Sequence, residues 1–168
     1  RIPPPMQAVA LVMDQPRETI AAIVETLAPD VLQFHGAESD EFCASFGLPF
    51  FKAIAMGGSP SDNEVLARCA EYSSAYAWLF DRHAAAVQGG SGQCFDWTRL
   101  AALASEKPFL LAGGLHPANV AQVIKTANPW GVDLASGIES APGVKDHKKM
   151  RAFVQAVRNI DAALPWPP

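Results

Sequence analysis

Short apolar runs alternate along this chain with stretches whose apolar residues recur every three or four positions. Residues 8–13 form the first run, and Pro16 then opens a segment that sets Ile20, Ile23, Val24 and Leu27 on one helical face. That spacing predicts a strand followed by an amphipathic helix. Residues 31–34 read as a second strand, with Ser39 as N-cap of a helix carrying Phe42 and Phe46. A third strand is expected at 50–54. Ser61 and Glu64 have capping-box spacing ahead of Val65, Leu66, Cys69 and Ala70, and a fourth strand follows at 76–80. After a glycine-rich loop, Trp97, Leu100, Ala101 and Ala104 mark a helix, 109–111 a strand, and Val120, Val123, Ile124 and Ala127 another helix. The last strand is expected at 130–134, and Met150, Phe153, Val154 and Val157 share one side of a closing helix.

The pattern amounts to about six β-then-α units with no linker between them, so residues 1–168 read as one domain. Apolar strands between amphipathic helices specify an α/β fold with a parallel sheet covered by helices. Two architectures satisfy this: an open doubly wound sheet, or a (β/α)8 TIM barrel short of two units. The open sheet suits the count. The barrel suits the chemistry, because polar or small residues end nearly every strand: Asp14, His35 with Gly36, Lys52, Asp81, Gly113 with Gly114, and Asp133 with Ser136.

Composition narrows the partners. A net charge of −4 gives no broad basic surface, so nucleic acid is not an expected partner, whereas a local anion site needs only a few donors. Three cysteines, Cys43, Cys69 and Cys94, without CxxC spacing indicate neither a disulfide framework nor a metal site; they read as packed thiols of a reducing, cytoplasmic protein. No apolar run approaches the roughly 20 residues of a membrane span, and residues 1–5 lack both a signal peptide's apolar core and an initiator Met.

The last two predicted strands each end in small residues shortly before a helix: Gly113 and Gly114, then Ser136 and Gly137. Glycine lets backbone approach a ligand, and a helix start offers N–H donors, so the pair suits a phosphate. Lys52 reads as an inward ion pair or a phosphate attractant, and His35 as a structural hydrogen-bonding group at the rim. Gly89, Gly90, Ser91 and Gly92 form a loop able to close over a substrate. Lys145, Lys148, Lys149 and Arg151 open the final helix at the end its dipole disfavours for cations, and read as a solvated face.

Five segments in order then carry a family resemblance: Val31-Leu32-Gln33-Phe34-His35-Gly36, Phe51-Lys52-Ala53-Ile54, Gly89-Gly90-Ser91-Gly92-Gln93-Cys94-Phe95-Asp96-Trp97, Leu111-Ala112-Gly113-Gly114-Leu115, and Asp133-Leu134-Ala135-Ser136-Gly137-Ile138-Glu139-Ser140. They resemble the motifs of the phosphoribosylanthranilate isomerases. The resemblance runs from about residue 8 onward and implies a (β/α)8 barrel whose third to eighth strands are those read here. It also implies an Amadori rearrangement of N-(5-phosphoribosyl)anthranilate in tryptophan biosynthesis, with no cofactor. By that resemblance Asp81 is the general acid, Gly113, Gly114, Ser136 and Gly137 bind the phosphate, and Asp133 lies near the substrate.

The family's first strand carries a Lys-x-Cys-Gly motif with the general-base cysteine, and an arginine after its second strand holds the anthranilate carboxylate. Neither is in this sequence, so the chain reads as N-terminally shortened and these residues are expected not to turn over substrate. The expected partner is the phosphorylated sugar-anthranilate itself, bound by a monomer or homodimer. Two other readings stay open: a non-catalytic remnant that binds phosphorylated sugars or a partner through exposed sheet edges, and the related indole-pathway synthase, for which Lys52 is the sole catalytic-lysine candidate.

Overall fold

Six parallel strands lie side by side in chain order: β1 (Val9–Val12), β2 (Val31–Phe34), β3 (Phe50–Ala55), β4 (Ala77–Asp81), β5 (Phe109–Ala112) and β6 (Gly131–Val132). They come from a computed structural model that describes residues 5–58, 60–82, 99–100 and 107–162. Each strand pairs with its sequence neighbour, so successive crossovers all step in one direction. A doubly wound sheet reverses its strand order at a switch point and gathers helices on both faces. The sequential order therefore decides for the barrel.

Side-chain alternation gives the sheet two unlike faces. Leu32, Phe34, Phe50, Ile54, Trp78, Phe80, Phe109 and Leu111 join the large core beneath the helices. On the opposite face Val31, Phe51 and Ala77 form one small cluster, and Ala53, Leu79 and Ala112 another. That second face is concave. The amide of Gln33, on β2, donates to the carboxylate of Asp133, just past β6, at 3.3 Å. In a flat sheet four strand spacings of about 4.8 Å would hold these strands roughly 19 Å apart. Trp130 likewise packs on Phe51 and Tyr76, with ring centroids 6.3 and 5.9 Å away. The sheet is thus a curled arc of a TIM barrel.

Local chemistry explains the covering helices. In α1 (Arg17–Leu27) Pro16 occupies the N-cap rather than the first turn, and Ala28 ends the helix in the left-handed region. Ser39 caps α2 (Asp40–Ala44) by accepting from the Phe42 N–H, and Ser61 with Glu64 completes a reciprocal capping box on α3 (Asp62–Ala70). Helix α4 (Val120–Ala127) buries Val120, Val123, Ile124 and Ala127, as their spacing requires. Asp146 caps α5 (His147–Asp161) by accepting from the Lys148 and Lys149 N–H groups.

Three expectations change. The last strand shrinks to the two residues of β6. Between it and α5 stand a 3-10 turn (Ser136–Ile138) and a hairpin of β7 (Glu139–Ala141) with β8 (Val144–Lys145), so Ser136 and Gly137 do not lead directly into the closing helix. Gly143 enables the hairpin turn at φ 77°. The basic cluster is also more than a solvated face. Lys145 Nζ donates to Ala135 O and Glu139 Oε1, both at 2.8 Å, and Lys149 Nζ to Glu139 O at 2.6 Å, bracing the hairpin. The glycine loop Gly89, Gly90, Ser91 and Gly92 lies outside the described residues, as do Cys94, Trp97, Ala101 and Ala104; Leu100 is fully buried.

Candidate functional site

The C-terminal ends of β4, β5 and β6 bring the candidate residues to one stretch of rim. Asp81 ends β4 with the same alternation as Ala77 and Leu79, which sets its carboxyl at the mouth of the concave face. Its register partner on β5 is Ala112, next to Gly113. A Cβ on Gly113 would lie 2.7 Å from Asp81 Oδ1 and 2.7 Å from the Arg82 nitrogen, and the residue has φ 81°. Both the close approach and the left-handed backbone demand glycine. Gly114 follows at φ 77°, so backbone without side chains covers this turn.

The second loop closes against the first. A Cβ on Gly137 would fall 1.8 Å from the Leu115 carbonyl oxygen, a spacing that only an unsubstituted Cα permits. The Gly113 and Ser136 loops therefore meet backbone to backbone. Asn119 fastens the first of them, donating from Nδ2 to Gly114 O at 3.0 Å and accepting from the His116 N–H at 2.8 Å. Asp133 stands nearby, accepting from Gln33 while its N–H donates to Leu111 O at 2.8 Å. Thus Asp81, Gly113, Gly114, Ser136 and Gly137 share one sector of the rim, with Asp133 on its inner side.

Lys52 departs from its expected place. It alternates with Phe50 and Ile54, so it faces the helices rather than the barrel interior, and it is 1% exposed. Its Nζ donates to Gly36 O at 2.6 Å and to Glu38 Oε2 at 3.0 Å, and lies 4.8 Å from the Tyr72 ring centroid. Glu38 Oε1 in turn accepts from the Asp14 N–H, and Asp14 Oδ1 from the Ala37 N–H, each at 2.7 Å. Lys52 is part of an ion pair, but neither an inward one nor one aimed at a phosphate. His35 also differs from expectation: its Nε2 is buried and makes no hydrogen bond among the described residues.

Cys43 and Cys69 are buried thiols. Burial pushes the Cys43 pKa up to about 12, with Lys52 pulling the other way, and burial pushes Cys69 up to about 12. At neutral pH both stay protonated and unfit to act as bases. Among the described residues no group of three or more His, Cys, Asp or Glu side chains is placed to hold a metal ion.

Sequence reasoning missed Asn119, Glu38 and Arg82. Asn119 had a signal, a short polar residue just before a helical run. Glu38 had none, because its partners Asp14 and Lys52 are distant in sequence. Arg82 is recognisable only by its neighbours: its guanidinium carbon lies 3.7 Å from where a Cβ on Gly114 would stand.

Comparison with known proteins agrees with this geometry. The family model for N-(5'-phosphoribosyl)anthranilate (PRA) isomerase matches residues 2–156. The N-(5'-phosphoribosyl)anthranilate isomerase of Stenotrophomonas maltophilia strain R551-3 is 46% identical over 165 residues, covering 97% of this chain and 74% of that relative. The phosphoribosyl anthranilate isomerase structure from Thermotoga maritima superposes with a TM-score of 0.81 at 28% identity, over 94% of this chain and 76% of that one. One solved in complex with reduced 1-(o-carboxyphenylamino)-1-deoxyribulose 5-phosphate gives 0.77 at 25% identity, over 94% and 74%. Strand order, rim chemistry and near-complete alignment converge, and the chain belongs to the N-(5'-phosphoribosyl)anthranilate isomerase family.

Proposed function

We propose that this chain serves tryptophan biosynthesis as a phosphoribosylanthranilate isomerase, binding N-(5-phosphoribosyl)anthranilate across the rim of β4 to β6. One observation carries the reading: the Asp81 carboxyl abuts Gly113, and Gly113 belongs to the loop that Gly137 clasps. A proton donor and a two-loop anion cradle therefore lie within the span of one pentose phosphate.

In the Amadori rearrangement the ribose ring oxygen takes a proton as the anilino nitrogen pushes the ring open to an iminium. A base then removes the C2 proton to give an enolamine, which tautomerises to the ketone. Asp81 is the acid of the first step. Backbone N–H groups of Gly113, Gly114 and Gly137, with the Ser136 hydroxyl, hold the phosphate, as loops after late strands do in this architecture. Asp133, held by Gln33, borders the reacting sugar from the inner face. Among the described residues the second step has no assigned base: Cys43 and Cys69 are buried and protonated, and no Lys-x-Cys-Gly motif occurs in the sequence. By this reading the 168 residues bind substrate without isomerising it.

Calorimetry with reduced 1-(o-carboxyphenylamino)-1-deoxyribulose 5-phosphate tests the binding half, and an isomerisation assay the other. Binding without turnover is expected for the 168 residues. In a chain extended upstream through a strand bearing the cysteine motif, Asp81→Asn is expected to lower kcat about 10²-fold or more, within the usual range for general acid catalysis. An analogue that does not bind, or an unchanged kcat, overturns the assignment.

A further inference from the structure

We propose that Arg82 is a substrate-binding residue whose guanidinium takes the phosphate beside the Gly113 and Gly114 turn. The inference rests on the phosphate reading above and adds to it the cation that backbone loops lack.

Position is the first argument. Arg82 directly follows Asp81, and its backbone nitrogen sits 2.7 Å from where a Cβ on Gly113 would be, so the residue is seated against the turn. Its side chain then passes Gly114, where that residue's missing Cβ would meet Cζ and Nη2 at 3.7 Å and Nη1 at 3.9 Å. Those are ordinary packing distances. The planar guanidinium therefore lies along a stretch of backbone bare of side chains, beside the turn assigned above to the phosphate. Arginine's fork of donors matches phosphate oxygens two at a time.

Charge is the second. Asp81 and Asp133 put carboxyl groups at the same mouth, while the two loops contribute N–H dipoles and one hydroxyl but no formal positive charge. A phosphate dianion needs a cation there. Among the described residues Lys149 and Lys145 are other cations near the Ser136 loop; Lys149 Nζ is bound to Glu139 O, and Lys145 Nζ to Ala135 O and the Glu139 carboxylate, a contact that holds the Glu139 pKa below its usual range. The Lys145 charge is neutralised within the hairpin. Arg82 takes part in other interactions of the fold, and five N–H donors serve more than one partner.

Calorimetric titration of the chain with inorganic phosphate and, separately, with anthranilate tests the role in wild type, Arg82→Gln and Arg82→Lys. Arg82→Gln is expected to weaken phosphate about tenfold or more, as loss of a charge-assisted pair does, with an unchanged response to anthranilate. Arg82→Lys restores part of the affinity, since it keeps the charge and loses the fork. Phosphate affinity within about twofold of wild type in both variants overturns the proposal, as does a loss that falls on anthranilate instead. A wild-type chain that binds no phosphate overturns the two-loop reading itself, a result distinct from failure at Arg82. Should Arg82→Gln not fold, Arg82→Lys carries the test, with undiminished affinity as the refuting result.

Discussion

Past the ends of β1 and β2 and midway along β3, Asp14, Glu38 and Lys52 are linked through Glu38 and to the backbone of residues 36 and 37, with Lys52 on the side of the sheet that faces the helices. At the ends of β4 to β6, Asp81 stands on the concave side, and its neighbours are glycine turns that pack backbone against backbone. Both sectors offer charged or small residues at strand ends, and in the sequence they look equivalent. What separates them is the face to which the side chain points. Charges turned toward the helices must find partners inside the fold, because an unpaired buried charge is strongly disfavoured. Groups turned toward the mouth border the space that the proposed substrate would enter.

The sharpest way to break this contrast is to unpair the first sector. Lys52→Ala leaves Glu38 buried without its cation and is expected to cost about 3–5 kcal/mol in denaturant unfolding. The paired replacement Lys52→Met with Glu38→Leu is expected to recover much of that loss, because apolar residues of similar volume need no partner. A loss below about 1 kcal/mol for the single variant, the range of exposed pairs, would mean that the network is solvated and the contrast false.

In the second sector Gly137→Ala forces a methyl group onto the Leu115 carbonyl and is expected to cost about 1–3 kcal/mol. Unlike Lys52→Ala, it is also expected to weaken inorganic phosphate, because the two loops move apart. Intact phosphate affinity in a destabilised Gly137→Ala would detach the clasp from binding.

pH sharpens the comparison from the core side. The raised pKa values of Cys43 and Cys69 mean that the unfolded chain loses its thiol protons from about pH 9, before the folded one does. Their contribution is full below that value and fades as pH rises toward 12, so the unfolding midpoint is expected to drop across that window. Cys43→Ala with Cys69→Ala should flatten the drop. The carboxylates of Glu64, Glu139 and Asp146 act with the opposite sign. Hydrogen bonds from Ser61 to Glu64, from Lys145 to Glu139, and from the Lys149 and Lys148 N–H groups to Asp146 lower their pKa values. Their support is present above the ordinary carboxylate range and is lost as pH falls through the lowered values. The smallest effect concerns the scaffold alone: Ser61→Ala removes the α3 cap and is expected to cost about 1 kcal/mol with phosphate binding untouched.

Local signals carried far in this chain. The capping box at Ser61 and Glu64, the buried faces of Val120, Val123, Ile124 and Ala127, and five of the six strands to within one residue depend on spacing that short-range sterics and burial impose. The rim placement of Asp81, Gly113 and Gly137 was legible for a similar reason, since each sits at a strand end or in a loop of small residues. The hairpin of β7 and β8 was not: two short strands produce no periodic pattern, and their braces, Lys145 and Lys149, look like a solvated cluster. Lys52 was placed on the wrong face because it was read as a strand end, whereas it lies mid-strand in β3, where alternation with Phe50 and Ile54 turns it toward the helices, and Glu38 and Tyr72, supplied by other elements, partner it there.

The order of hydrophobic and polar positions by itself determined the α/β units, their caps and the set of residues available at the strand ends, because those depend on contacts a few residues apart. Only the tertiary structure decided that the sheet curls rather than lies open, that the Gly137 loop closes on Leu115, and that Arg82 reaches Gly114. These rest on encounters between segments tens of residues apart along the chain, which no local pattern encodes.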